Sequence, residues 1–193
     1  MTADDQIRWD RQHAEAHGAQ APSRFLHEII DSDHWTITRG RALDVACGKG
    51  RNALFLAERG FDVVAIDVSP VALEEGRRRA AERSLAISWE RADLEQIALP
   101  ENSFNLVVNF NYLQRSLIPP LKAALKSGGH VIFETYLIDQ QAIGHPKNPE
   151  YLLSHNELLF QFRDFRALLY REGKFADSAE TSFRAGILAQ KID

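Results

Sequence analysis

From Arg41 onward the chain alternates between short apolar runs and longer segments with a helical period. "RALDVA" reads as a short buried strand, and "GRNALFLAERG" as a helix closed by Gly60. "FDVVAID" is the second strand; "SPVALEEGRRRAAERS" then opens a helix, with Ser69 as N-cap and Pro70 at its first position. "AISWERAD" and "NSFNLVVNF" supply strands three and four. "IPPLKAALKSGG" reads as a helix ending in two glycines, and "HVIFETY" as the fifth strand. Beyond the Gly- and Pro-containing loop "AIGHPKNPEY", "SHNELLFQF" predicts a last helix, and "RALLYREGKF" with "ETSFRAGILAQKI" an antiparallel pair at the sheet edge. Residues 1–39 read as a helical, peripheral region whose apolar anchors are Trp9, Phe25, Leu26, Ile29 and Ile30. The expected class is α/β: a doubly wound, mostly parallel seven-stranded sheet with helices on both faces and an antiparallel C-terminal edge hairpin. No repeat or second-domain boundary interrupts residues 1–193, so one domain is expected.

Composition narrows the function without naming it. At 193 residues, 45% apolar and 26% charged, the chain has the makings of a soluble domain with one core. A net charge of −4 leaves no electrostatic footprint for nucleic acid. Cys47 is the one cysteine, which excludes an internal disulfide and a cysteine zinc cluster. No run is long enough for a membrane span, and the polar start "MTADDQIRWDRQHAEAH" lacks a signal-peptide core. His13 and His17 stand four apart with no third ligand evident, which favours a solvated face over a metal site. The expectation is a cytoplasmic monomer or homodimer acting on a small molecule, without metal, nucleic acid or membrane.

The chemistry concentrates between Ala42 and Leu94. Gly48 and Gly50 follow the first strand, where an open parallel sheet binds ligands and where a missing Cβ lets the backbone turn and approach one. Asp67, ending the second strand, is placed to accept both hydroxyls of a ribose. Gly48-x-Gly50-x-x-Ala53 also fits a dinucleotide fingerprint. Against that, Asp44 brings a carboxylate toward a would-be pyrophosphate but would welcome an ammonium group. Asp93 ends the third strand, where it can accept from an adenine amino group while Leu94 offers a backbone N–H. Acids on three consecutive strand ends suit a ligand with an amino acid, a ribose and an adenine, and S-adenosyl-L-methionine has that constitution.

At these residues the chain resembles the class I S-adenosylmethionine-dependent methyltransferases. "LDVACGKG" is similar to their first motif, "VVAIDVSP" to the ribose loop, "RADLEQIALP" to the adenine loop and "FNLVVNFNYL" to the fourth motif. "YLQRSLIPPLKAALKSGGHVIFETY", "NELL" and "RWD…SRFL" further resemble the tellurite-resistance methyltransferase-like group, the similarity running from about Trp9 to Phe165. Asn105, where Asp is common, and Ser127, where Pro-Gly-Gly is usual, depart from the pattern away from the expected ligand contacts. The resemblance implies a Rossmann-like methyltransferase fold and a small-molecule methyl acceptor, a chalcogen oxyanion or thiol among the options.

The cofactor set so expected is Trp9, Asp44, Cys47, Gly48, Gly50, Asn52, Asp67, Val68, Asp93, Leu94 and Asn109. Trp9 is either a lid over the cofactor or an anchor for the first helix, and Cys47 a small loop residue rather than a nucleophile. The catalytic residue is not identified. Acceptor-pocket candidates are Tyr112 and Arg115 after the fourth strand, and Glu134 and Tyr136 at the end of the fifth. Tyr112 either contacts the sulfonium or packs the loop, Arg115 either holds an anion or forms a surface ion pair, and Glu134 either lines the pocket or is a satisfied structural acid. Two other readings stay open: a protein that binds S-adenosylmethionine without transferring its methyl, and an NAD-dependent dehydrogenase.

Overall fold

The computed structural model describes residues 21–177 and 180–192; Trp9, His13 and His17 lie outside them. Seven strands form one sheet: β1 (Arg41–Val45), β2 (Asp62–Asp67), β3 (Ile87–Arg91), β4 (Phe104–Phe110), β5 (Leu125–Tyr136), β6 (Arg166–Asp177) and β7 (Glu180–Gln190). Their spatial order is β3-β2-β1-β4-β5-β7-β6. The first five run parallel, while β7 pairs antiparallel with both β5 and β6. The expected mixed sheet and edge hairpin are therefore present. β1 is central, and from Ala42 to Val45 it is buried on both faces, which is why Ala42, Leu43 and Val45 are apolar without alternating, Asp44 being the one charge among them.

Helices cover the two faces unequally. Helices α1 (Arg24–Ile30), α2 (Arg51–Glu58) and α3 (Pro70–Glu82) lie against one apolar cluster containing Phe25, Leu26, Leu56 and Leu73. Helices α4 (Ile118–Ala124) and α5 (Glu157–Gln161) cover the other, with Leu121, Phe133 and Phe162 at its centre. Ser69 caps α3 as anticipated, its hydroxyl accepting from Ala72 N–H at 3.1 Å ahead of Pro70.

Two expectations need correction. Helix α1 is not peripheral: Phe25, Leu26 and Ile29 are fully buried, and the Phe25 ring fills the space beside Gly186, where a Cβ would meet it at 2.9 Å. The helix read through "KAALKSGG" stops at Ala124. Leu125 is already extended and buried opposite Phe104, the pairing then slips, and Gly128 turns with φ +74° so that its N–H reaches Lys191 O. Asn105 sits at the start of β4, its side-chain oxygen accepting from Arg41 N–H at 3.2 Å, far along the strand from the carboxyl end.

Trp89 on β3 joins the glycine loop to α3. A Cβ on Gly50 would lie 2.2 Å from the Trp89 ring, and one on Gly76 inside α3 would lie 2.5 Å from it. The two glycines form a slot that the indole fills.

Candidate cofactor and acceptor site

In chain order the sheet reverses direction at β1 and β4, so a crevice opens beyond the carboxyl ends of β1, β2 and β4. The loop after β1 turns through three left-handed residues, Ala46 (φ 51°), Gly48 (φ 55°) and Gly50 (φ 76°). Asp67 holds it: one carboxylate oxygen accepts from Gly48 N–H at 2.7 Å, the other from Ser69 N–H at 2.9 Å. Each oxygen keeps a second lone pair, so a diol can still be taken bidentately. Val68 continues the same turn, half-buried between Asp67 and Ser69.

Asp44 lies in β1, just ahead of this loop. It is 1% exposed, it accepts from Ala53 N–H in the first turn of α2, and its Oδ2 has no hydrogen-bond partner among the described residues. Burial is the main cause that raises its carboxyl to about 7, with the charge of Asp67 adding to it. A buried oxygen left without a donor costs free energy that an incoming N–H would recover.

Several expected contacts are committed to the protein itself. Gly50 faces the Trp89 ring, so its missing Cβ makes room for indole and not for a ligand. Asn52 Oδ1 accepts from Ser23 N–H at 2.9 Å, which ties the head of α1 to the first turn of α2. Asn109 is 1% exposed and donates from Nδ2 to Tyr112 O at 2.7 Å, bracing the turn after β4. Cys47 is buried; burial first, then the charges of Asp44 and Asp67, holds its thiol well above the ordinary range, which keeps it protonated and inert as a nucleophile.

Arg115 is likewise a structural clamp rather than an anion dock. Nε and Nη2 bind both oxygens of Glu157 at 2.7 and 2.9 Å, and Nη1 and Nη2 reach the carbonyls of Glu150 and Leu152 at 3.0 and 2.8 Å. Substituting Arg115→Met should lower stability by about 1 kcal/mol by freeing these acceptors, and leave cofactor affinity unchanged. Urea unfolding beside calorimetry checks both halves. Glu134 is the satisfied structural acid: it is 3% exposed and paired with Arg171 at 2.7 Å, and Arg171 also binds Glu28 of α1 at 3.0 Å.

Two residues that the sequence did not single out complete the crevice. Arg184 pairs across strands with Tyr136, lies over its ring at 4.1 Å, and is held by Asn111 Oδ1 at 2.6 Å and Ser182 Oγ at 2.8 Å. Gln114 links the turn after β4 to the adenine loop, donating from Nε2 to Leu94 O at 3.4 Å and accepting the Tyr112 hydroxyl at 2.5 Å. Asp93, beside buried Leu94, accepts from Glu95 N–H at 3.0 Å, which fixes the direction of its carboxylate. Only the strand register could have shown Arg184 opposite Tyr136.

This strand order, with its antiparallel β7 inside the sheet and acids on three successive parallel strands, is that of a Rossmann-like methyltransferase fold. Residues 42–129, which carry the glycine loop and all three acids, match the family described as methyltransferase domain. A ubiquinone biosynthesis O-methyltransferase from Alkalilimnicola ehrlichii is 35% identical over 101 residues, covering 49% of this chain and 41% of that protein. Hemagglutinin 1 from Eikenella corrodens is 29% identical over 163 residues, or 81% of this chain and 52% of that one. The chain thus spans about half the length of these curated relatives. Among solved structures, TehB from Haemophilus influenzae superposes with a TM-score of 0.71 at 22% identity, over 80% of this chain and 58% of that chain. No helix among the described residues is long and apolar enough to cross a membrane.

Proposed function

We propose that this chain transfers the methyl group of S-adenosylmethionine to a small acceptor whose nucleophile is anionic or readily ionised, a thiol or chalcogen oxyanion among them. The observation that carries the cofactor side is the orphaned, buried Oδ2 of Asp44, just ahead of the glycine loop in β1. An ammonium group is the donor that satisfies it and keeps the carboxylate ionised. Asp67 has lone pairs left for a ribose diol, and Asp93 with Leu94 can frame an adenine. When bound, the cofactor supplies a methyl on a sulfonium, a leaving group that is already activated.

The residues of the chain then have three tasks: to hold the cofactor's two ends, to align the acceptor, and to keep water out. Arg184, fixed over Tyr136 where β5 ends and 3.9 Å from Glu134 Oε2, takes the anion-holding part expected of Arg115. A guanidinium there favours an acceptor with negative charge, which also screens it from the sulfonium. A thiolate or oxyanion needs no general base, and the one acid at the end of β5 is consistent with that because Glu134 is already paired.

The test is a screen of small thiols, hydroxy acids and chalcogen oxyanions read out by S-adenosylhomocysteine formation. Turnover with an ionisable acceptor is expected. Tight binding of NAD in place of S-adenosylmethionine would overturn the cofactor assignment, and cofactor binding without turnover on any acceptor would leave a binding protein.

A further inference from the structure

The turn after β4 fixes the direction of a short hydrogen-bond relay. Leu94 O can only accept, so the group of Gln114 facing it at 3.4 Å is the Nε2 amide, which also lies 3.1 Å from Ser116 Oγ. The other end of that amide, Oε1, can likewise only accept. The Tyr112 hydroxyl 2.5 Å away must therefore give its proton to Gln114. With its proton spent there, the Tyr112 oxygen has only lone pairs to offer, and among the described residues no donor reaches it. Tyr112 itself is held in place by Asn109, whose amide grips its carbonyl at 2.7 Å.

These lone pairs belong to the adenine side of the crevice. Gln114 touches Leu94, the neighbour of Asp93, and burial together with the charges of Glu95, Asp93 and Asp67 pushes the Tyr112 phenol well above its usual range. The phenol is thus protonated at any working pH, so the relay cannot reverse by ionisation. Tyr112 moves from the acceptor pocket, where its ring was considered against the sulfonium, to the wall of the nucleoside pocket.

We infer that Tyr112 and Gln114 make a donor-selective contact: the Tyr112 oxygen, turned into an obligate acceptor by Gln114, takes one N–H of the nucleoside's exocyclic amino group while Asp93 takes the other. The inference rests on the cofactor reading above. A base carrying a carbonyl at that position would turn an acceptor toward two acceptors, and a site built to receive a donor rejects such a ligand strongly. Tyr112 and Gln114 are therefore specificity-determining, Gln114 acting through Tyr112 as a positioning residue.

Calorimetry with S-adenosylhomocysteine and its inosine counterpart, on the full chain, tests this. The wild type should prefer the adenosine ligand by a hundredfold or more, and Tyr112→Phe should cut that preference about tenfold. Gln114→Glu, which still accepts the Tyr112 proton, should retain most of it. Gln114→Leu frees the hydroxyl to donate, so the inosine ligand should bind more tightly than to the wild type. A gain of that kind does not come from structural damage, and thermal melts would show the variants folded. An unchanged preference in Tyr112→Phe overturns the inference, as does an equal loss for both ligands, which would place the contact on the ribose. If the wild type binds neither ligand, the cofactor reading itself fails, a result distinct from either.

Discussion

Replacing Asp44 with asparagine will weaken S-adenosylmethionine binding by about a hundredfold, the loss of one buried charge-assisted contact, while the free protein stays as stable or becomes more so. The asparagine oxygen can still accept from Ala53 N–H, so the loop and the first turn of α2 keep their anchor. What disappears is a carboxylate that titrates near 7 in the folded chain against an ordinary 3.8. Between those values the folded chain holds a proton that the unfolded chain has lost, so this group's contribution to stability declines as pH rises from 3.8 through about 7. An ammonium ligand reverses the balance by favouring the charged form. Cofactor affinity in the wild type should therefore fall about tenfold for each pH unit below about 7, with proton release on binding near that pH. Calorimetry in buffers of different ionisation enthalpy measures the proton directly. A pH-independent affinity between 5 and 8 would show that Asp44 does not meet the ligand.

Gly50→Ala will cost roughly 3 kcal/mol of stability, a left-handed residue and an overpacked contact adding together. The backbone there has φ +76°, and the new methyl would lie 2.2 Å from the Trp89 ring. Gly76→Ala separates the two causes. It sits inside α3 with an ordinary helical backbone, where alanine normally gains about 0.5–1 kcal/mol over glycine. Here the ring at 2.5 Å should turn that gain into a loss of about 1–2 kcal/mol. In a Trp89→Leu background Gly76→Ala becomes stabilising, whereas Gly50→Ala stays costly because its φ is unchanged. Urea unfolding of the double-mutant cycle reads this; equal rescue at both positions would show that the left-handed turn contributes nothing.

What the sequence revealed and what it hid divide along physical lines. The parallel strands were legible because strands buried on both faces run largely apolar, as "VVAI" does without a break and "ALDV" does apart from Asp44. Asp44 and Asp67 stand out in the sequence because a charge in a buried strand is costly without a task, and Asp93 because it follows β3 in the same way that the glycine loop follows β1. The partners of those strand ends were not legible, since a side chain's commitments depend on residues distant in the chain. Arg115 finds Glu157, Asn52 finds Ser23, and Tyr136 lies under Arg184. Gly50 looked like room for a ligand only until Trp89 was seen in the same space. The early stop of α4 was hidden because Leu125 suits a helix and a strand equally, and register with Phe104 decides between them.

The place of β7 has a consequence for how the molecule is assembled. Among the described residues it is the last strand in sequence, yet it lies between β5 and β6, and β6 is hydrogen-bonded there to no other strand. During synthesis the half carrying the glycine loop can collapse early, because each of its parallel strands meets a neighbour already made. The acceptor side has to wait: Arg184 reaches Tyr136 only when the final strand slots in and joins the two halves of its edge. On the proposed reading, the residues assigned to the cofactor are thus in place along a growing chain before Arg184 is, so the two sides of the site form in sequence and not together.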